Sequence, residues 1–211
     1  AGARTRLPAG PGERGVSVPL AGTGAEGMIV LASAAPAVGE AVHRAYAAAL
    51  DALPAHLPGT GYAPLGVPEL RAAVAARYTR RGLPTTPEQV MVTNGAQHAL
   101  ALMLRLLAGP GDRVVIDHPT YPHAIDAIQR ASCRPLPVGL PGDGWDVDGL
   151  AAAFRQGGPR LAYLIPEFHN PTGRWMAPDA RQAIAEAAAR VRATAIFDET
   201  MGDLWLDGPP A

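Results

Sequence analysis

The feature that most constrains this chain is a change of rhythm near residue 89. From there on, short apolar runs alternate with longer stretches of helical period. Residues 89–93 read as a strand. Residues 95–107 read as a helix, because Leu100, Leu104 and Leu107 recur at helical spacing. Strands follow at 112–117, 134–138, 161–165 and 193–197, and helices at 121–131, 147–154 and 178–191. Strands separated by helices cannot close tight hairpins and pair instead as parallel neighbours. The class expected is α/β, three-layered, with a mainly parallel sheet and helices on both faces.

The upstream part reads differently. Residues 1–27 are rich in Gly, Pro, Ala and Arg without periodicity, which is the composition of a linker or mobile arm. Order is expected from Met28, so the chain divides into 1–27 and 28–211. An alanine-rich helix is expected at 38–53, stopped by Pro54. After a loop, a second helix starts on Pro68 and runs to Arg81, with Gly82 as its stop.

Composition excludes several classes. With 211 residues, 48% of them hydrophobic, the chain can bury a sizeable core. A net charge of −1 supplies no field toward nucleic acid or acidic lipid, so no DNA contact is expected from this chain. The Arg80-Arg81 pair reads as a solvated helix end that complements the helix dipole. No apolar run approaches the ~20 residues of a membrane span. The single cysteine, Cys133, fits a reducing cytoplasm and reads as a buried, inert thiol. The first residue is Ala1, not Met, so a piece of a longer chain is expected and not a secreted precursor. All 18 basic residues are arginine, and without lysine no side-chain amine can form a Schiff base.

In a parallel sheet, ligands bind beyond the carboxyl ends of the strands. Four motifs lie there. Thr93-Asn94-Gly95-Ala96-Gln97 opens a helix, whose free N–H groups and dipole suit a phosphate, although for this motif alone an ordinary helix cap is the favoured reading. Asp117-His118-Pro119-Thr120-Tyr121-Pro122 holds an aromatic plate between prolines, or a core tyrosine at a turn. Pro166-Glu167-Phe168-His169-Asn170-Pro171-Thr172-Gly173 is turn chemistry with an amide that can donate to an oxyanion. Asp198 ends an apolar strand and could act as a base, bind a metal or pair with a ring nitrogen. Metal is disfavoured: only Glu199 adjoins it, and consecutive strand side chains point to opposite faces. His98 and His169 could border such a site or simply pack.

Gly-Ala-Gln, Pro-Thr-Tyr-Pro, Asn-Pro-Thr-Gly and a strand-end Asp, in that order, resemble the class I/II aminotransferase family of fold-type I pyridoxal-phosphate (PLP) proteins. The 28 positions from Asn170 to Asp198 (198 − 170) fit that family. So does the run from Gly61-Tyr62 to Arg71, and the likeness covers roughly residues 28–207. The resemblance implies that Gly95, Ala96 and Gln97 hold the PLP phosphate and that Tyr121 stacks on the pyridine ring. It implies that Asn170 bonds the phenolic oxygen and that Asp198 keeps the ring nitrogen protonated. Tyr62 would reach the phosphate of the other subunit, which implies a homodimer. The segments 78–85 and 166–173 are similar to the effector domain of MocR-type transcription regulators, where a linker joins that domain to a winged-helix DNA-binding domain.

Two departures qualify these expectations. The family's covalent lysine lies several tens of residues beyond the Asp-bearing strand, past Ala211. The chain is therefore expected to contain no catalytic residue, to hold PLP non-covalently at best, and to leave a strand edge unpaired. Family enzymes also carry a tyrosine two or three residues after the aspartate, where this sequence has Thr200 and Met201. The alternatives are part of a free-standing PLP-dependent amino acid aminotransferase, and a cofactor-free remnant or interaction module.

Overall fold

A computed structural model describes residues 39–142 and 144–205. The start of order near Met28, and the boundary at 27, lie outside the described residues. The chain divides into two compact units, 1–61 and 62–211. The described part of the first is a helix, α1 (Glu40–Ala52), and a short 3-10 turn at Leu53–Ala55.

The second unit begins with α2 (Pro68–Arg80) and continues through α3 (Ala96–Leu107), β1 (Arg113–His118), α4 (Pro122–Arg130) and β2 (Arg134–Gly139). It then runs through α5 (Val147–Gly157), β3 (Leu161–Leu164), α6 (Pro178–Arg190) and β4 (Thr194–Phe197). Proline opens α2, α4 and α6, where its missing N–H costs nothing and its fixed φ favours the helix. The helix α5 ends on Gly158 in the left-handed region, and the side chain of Asp146 caps its start.

The four strands form one sheet in the order β2-β1-β3-β4, and every neighbour pair is parallel. Alternation along β1 separates two cores. Val114 and Ile116 pack with Leu100, Leu104, Ala124 and Ile128 of α3 and α4. Val115 packs with Leu150, Phe154, Ile184 and Ala188 of α5 and α6. The sheet is therefore the middle of three layers, as expected. Each fully buried Leu, Ile or Phe contributes roughly 1.5–3 kcal/mol.

One expected strand is absent. Residues 90–93 are not part of any ladder; they follow a 3-10 turn at Pro87–Gln89. Val90 is locally extended, but extension alone does not make a strand. Among the described residues, the one backbone bond reaching this run from a distant segment is Val92 N–H to Leu65 O, at 3.0 Å, and no strand lies alongside. Arg71 also anchors it, donating to the carbonyls of Pro87 and Val90.

Candidate functional site at the carboxyl edge of the sheet

The sequence order of the strands reverses direction between β1 and β3. In open parallel sheets, loops leaving two such neighbours run to opposite sides, and ligands bind there, beyond the carboxyl ends of the strands. Tyr121 follows β1, Asn170 follows β3 and Asp198 follows β4, so the parallel topology brings all three to that edge. Tyr121 is half-buried, and burial, followed by the charge of Asp198, raises its phenol pKa.

Asp198 is held firmly. Its N–H bonds Leu164 O at 2.9 Å, continuing the β3–β4 ladder by one residue. Tyr163 Oη donates to Asp198 Oδ2 at 2.6 Å, while the Thr200 N–H and hydroxyl donate to Oδ1. Burial, followed by the neighbouring Asp198, pushes the Tyr163 phenol far above its ordinary range. Glu199, the next residue, turns to other partners, as alternation predicts. It accepts from Arg181, Arg81 and Tyr78. Arg81 and Arg181 also pair with the buried Glu167 at 3.2 and 3.0 Å. Arg81 is an exposed residue at the end of α2, as expected, and in addition pairs with two carboxylates from the loops after β3 and β4.

The start of α3 lacks a side-chain cap. Its first N–H groups have no intrahelical acceptor and are available to an anion. Gly95 adopts φ +85°, which disfavours any side chain, and nothing lies within 4 Å of where its Cβ would stand. The Gln97 side chain turns away, its Nε2 donating to His123 O at 3.2 Å. Gln97 therefore offers the site its backbone and not its amide. The His123 ring packs edge-on against Tyr121 at 5.2 Å, which links the α3 start to the aromatic plate. His98 accepts from Asn94 N–H and so braces the same turn.

The Asn170 loop is built on a buried acid. Asp117, at the end of β1, accepts from Trp145 Nε1 at 2.8 Å and from Ile165 N–H at 3.2 Å. His169 is fully buried, its Nε2 lying 3.5 Å from Asp117 and its Nδ1 2.9 Å from Thr172 Oγ1. Of its two open readings, packing is the one observed. Phe168 has φ 46°, a conformation an L-residue adopts at a cost of roughly 1–2 kcal/mol, and its ring packs 4.7 Å from Trp205.

An open amide cradle, a half-buried aromatic plate, a turn asparagine and a strand-end carboxylate form a donor set that fits a phosphorylated aromatic cation such as PLP. Tyr62 is 84% exposed. Sequence reading missed Tyr163, Asp117, Trp145 and the Arg81–Arg181 clasp. The apolar neighbours of Tyr163 marked only a buried strand. Among the described residues no group of His, Cys, Asp and Glu could hold a metal, and no helix is long and apolar enough to cross a membrane. Cys133 is buried, which pushes its thiol pKa up.

Comparison with known proteins agrees with this geometry. The model of the family "Aminotransferase class I and II" matches residues 26–210. The 2-aminoadipate transaminase of Thermus thermophilus is 32% identical over 71% of this chain and 35% of its own length. The "Probable rhizopine catabolism regulatory protein MocR" of Rhizobium meliloti is 31% identical over 69% of this chain and 29% of its own. An aminotransferase from Mycobacterium tuberculosis superposes with a TM-score of 0.70 at 30% identity, over 85% of this chain and 46% of that one. The chain spans about a third of the length of the curated relatives it matches. Its fold, its ordered motifs and the family match from residue 26 to residue 210 establish that the chain belongs to the class I and II aminotransferase family.

Proposed function

We propose that the chain is the PLP-binding part of an aminotransferase-like domain that senses an effector in a MocR-type transcription regulator. The cofactor reading is supported by the uncapped start of α3 at Gly95, tied through Gln97 and His123 to Tyr121 after β1, and by the Asp198 carboxylate after β4 of the same sheet. Family membership supports the same cofactor.

In this reading the backbone N–H groups of Gly95, Ala96 and Gln97 bind the phosphate. The Tyr121 ring packs on one face of the pyridine. The Asn170 amide donates to the phenolic oxygen, and Asp198 holds a proton at the ring nitrogen. A protonated pyridine supplies the electron sink of the family's chemistry. Tyr62 serves the phosphate of a second subunit, so the working unit is a homodimer. This chain contributes no covalent lysine, and its PLP contacts are non-covalent. DNA contact belongs to a different part of the protein, and the cytoplasm is its compartment. Residues 1–27 serve as the tail of a linker, and 28–211 as the start of the PLP domain.

Titration of the full-length protein with PLP tests this. Saturable binding, competed by inorganic phosphate and weakened in Gly95→Ala, is expected, together with a PLP-dependent change in DNA affinity. Absence of PLP binding rejects the reading in favour of a cofactor-free module. The likeness to 2-aminoadipate transaminase favours a second reading, a free-standing aminotransferase. Turnover of an amino acid with a keto acid, without DNA binding, would select it.

A further inference from the structure

We propose that Tyr163 is a positioning residue that aims the Asp198 carboxylate at the ring nitrogen of the cofactor. The inference rests on the reading of Asp198 given above. Tyr163 sits on β3, the strand between β1 and β4, and its register partners are Ile116 and Ile196. The side chain is buried at 2% exposure, so its position is set by the core and not by the loops. Its hydroxyl lies 2.6 Å from Asp198 Oδ2.

The two oxygens of Asp198 are held by different kinds of donor. Thr200 holds Oδ1 from the exposed turn after β4, two residues away in sequence. Tyr163 holds Oδ2 from the centre of the sheet, 35 residues away. A carboxylate gripped at one oxygen still swings about its terminal torsion, which is broad and soft. Gripped at both, it presents a fixed plane. Oδ1 already accepts two donors, whereas Oδ2 accepts only Tyr163 and keeps a lone pair for a ring N–H. The raised phenol pKa keeps the proton on Tyr163, so the hydroxyl stays a donor throughout the neutral range. Directional pairing with a ring nitrogen depends on such preorganisation.

Tyr163→Phe in the full-length protein removes the donor and keeps the ring. The apo-protein is titrated with PLP and with a PLP analogue carrying carbon in place of the ring nitrogen. We expect PLP to bind about tenfold more weakly in Tyr163→Phe, the loss of one charge-assisted hydrogen bond's worth of alignment. Binding of the ring-carbon analogue is expected to be unchanged, because it makes no bond to Asp198. Equal weakening of both ligands means a general packing defect and overturns the proposal. Asp198→Asn separates the two layers of inference. Weaker PLP binding in Asp198→Asn but not in Tyr163→Phe overturns the role of Tyr163 and leaves the site standing. Unchanged PLP binding in Asp198→Asn overturns both.

Discussion

Trp145 donates its indole N–H to the buried carboxylate of Asp117 at 2.8 Å, tying the entry to α5 to the end of β1. The bond lies beneath the loop that carries Asn170. Trp145→Phe keeps an aromatic ring and leaves one oxygen of a buried acid without its donor. A loss of about 1–3 kcal/mol is expected. Denaturant unfolding measures it, and an unchanged midpoint would show that water replaces the indole at no cost.

Arg181 bridges Glu167 and Glu199, and Arg81 bridges the same two acids. Groups that share partners in this way do not act additively. The double-mutant cycle of Arg181→Met with Glu199→Gln is expected to show a coupling of about 0.5–3 kcal/mol. Because the Arg181 and Glu199 side chains are only 24% and 18% exposed, most of that coupling should persist in high salt. A coupling that vanishes in salt would place the clasp at the solvent surface.

Gly66 and Gly95 both have positive φ, but their surroundings differ. A Cβ on Gly66 would collide with the Val92 side chain, whereas one on Gly95 meets open space. Gly66→Ala is therefore expected to cost more than the roughly 1–2 kcal/mol of the backbone conformation alone. Gly95→Ala should cost no more than that, and its effect should fall on phosphate binding. Thermal unfolding of the two variants, side by side, checks the order.

The phenols of Tyr163, Tyr121 and Tyr78 and the thiol of Cys133 all have folded pKa values raised by burial. The folded chain keeps these protons longer than the unfolded chain does. Their contribution is complete below the unfolded pKa values, about 8.5 for Cys and about 10 for Tyr, and falls as pH rises through the folded ones. Stability is expected to decline above about pH 8.5 and more steeply above about pH 10. Melting temperature followed against pH, with phenolate absorbance as the second signal, tests this. A flat profile through that range would contradict it. Native Cys133 should also resist thiol reagents until the chain unfolds.

Much of this was legible in the sequence because it is local. Proline at a first helical position, glycine after a last one and leucines at helical spacing locate α2 and α3 within a residue or two. The strand–helix alternation dictates a parallel sheet, and the parallel sheet dictates the edge at which the segments carrying Tyr121, Asn170 and Asp198 leave it. Illegible were relations that depend on a distant partner. Residues 90–93 have strand composition but no neighbour to pair with among the described residues. Tyr163 and Asp198 meet across 35 positions, and Arg81 and Glu199 across 118. No periodicity encodes such pairs, because only the finished sheet order brings them together.

The divergence of two consecutive acids has a further consequence. Glu199 and Glu167 are neutralised by two guanidinium groups, whereas the donors to Asp198 are the neutral Tyr163 and Thr200. Among the described acids after β3 and β4, Asp198 is therefore the negative pole left without a guanidinium partner. Such a pole is a filter on charge: it favours a ring that arrives with a proton and disfavours a second anion. In the proposed site the anionic end of a guest is left to the amides of α3, so these two poles would set which way round a zwitterionic guest enters.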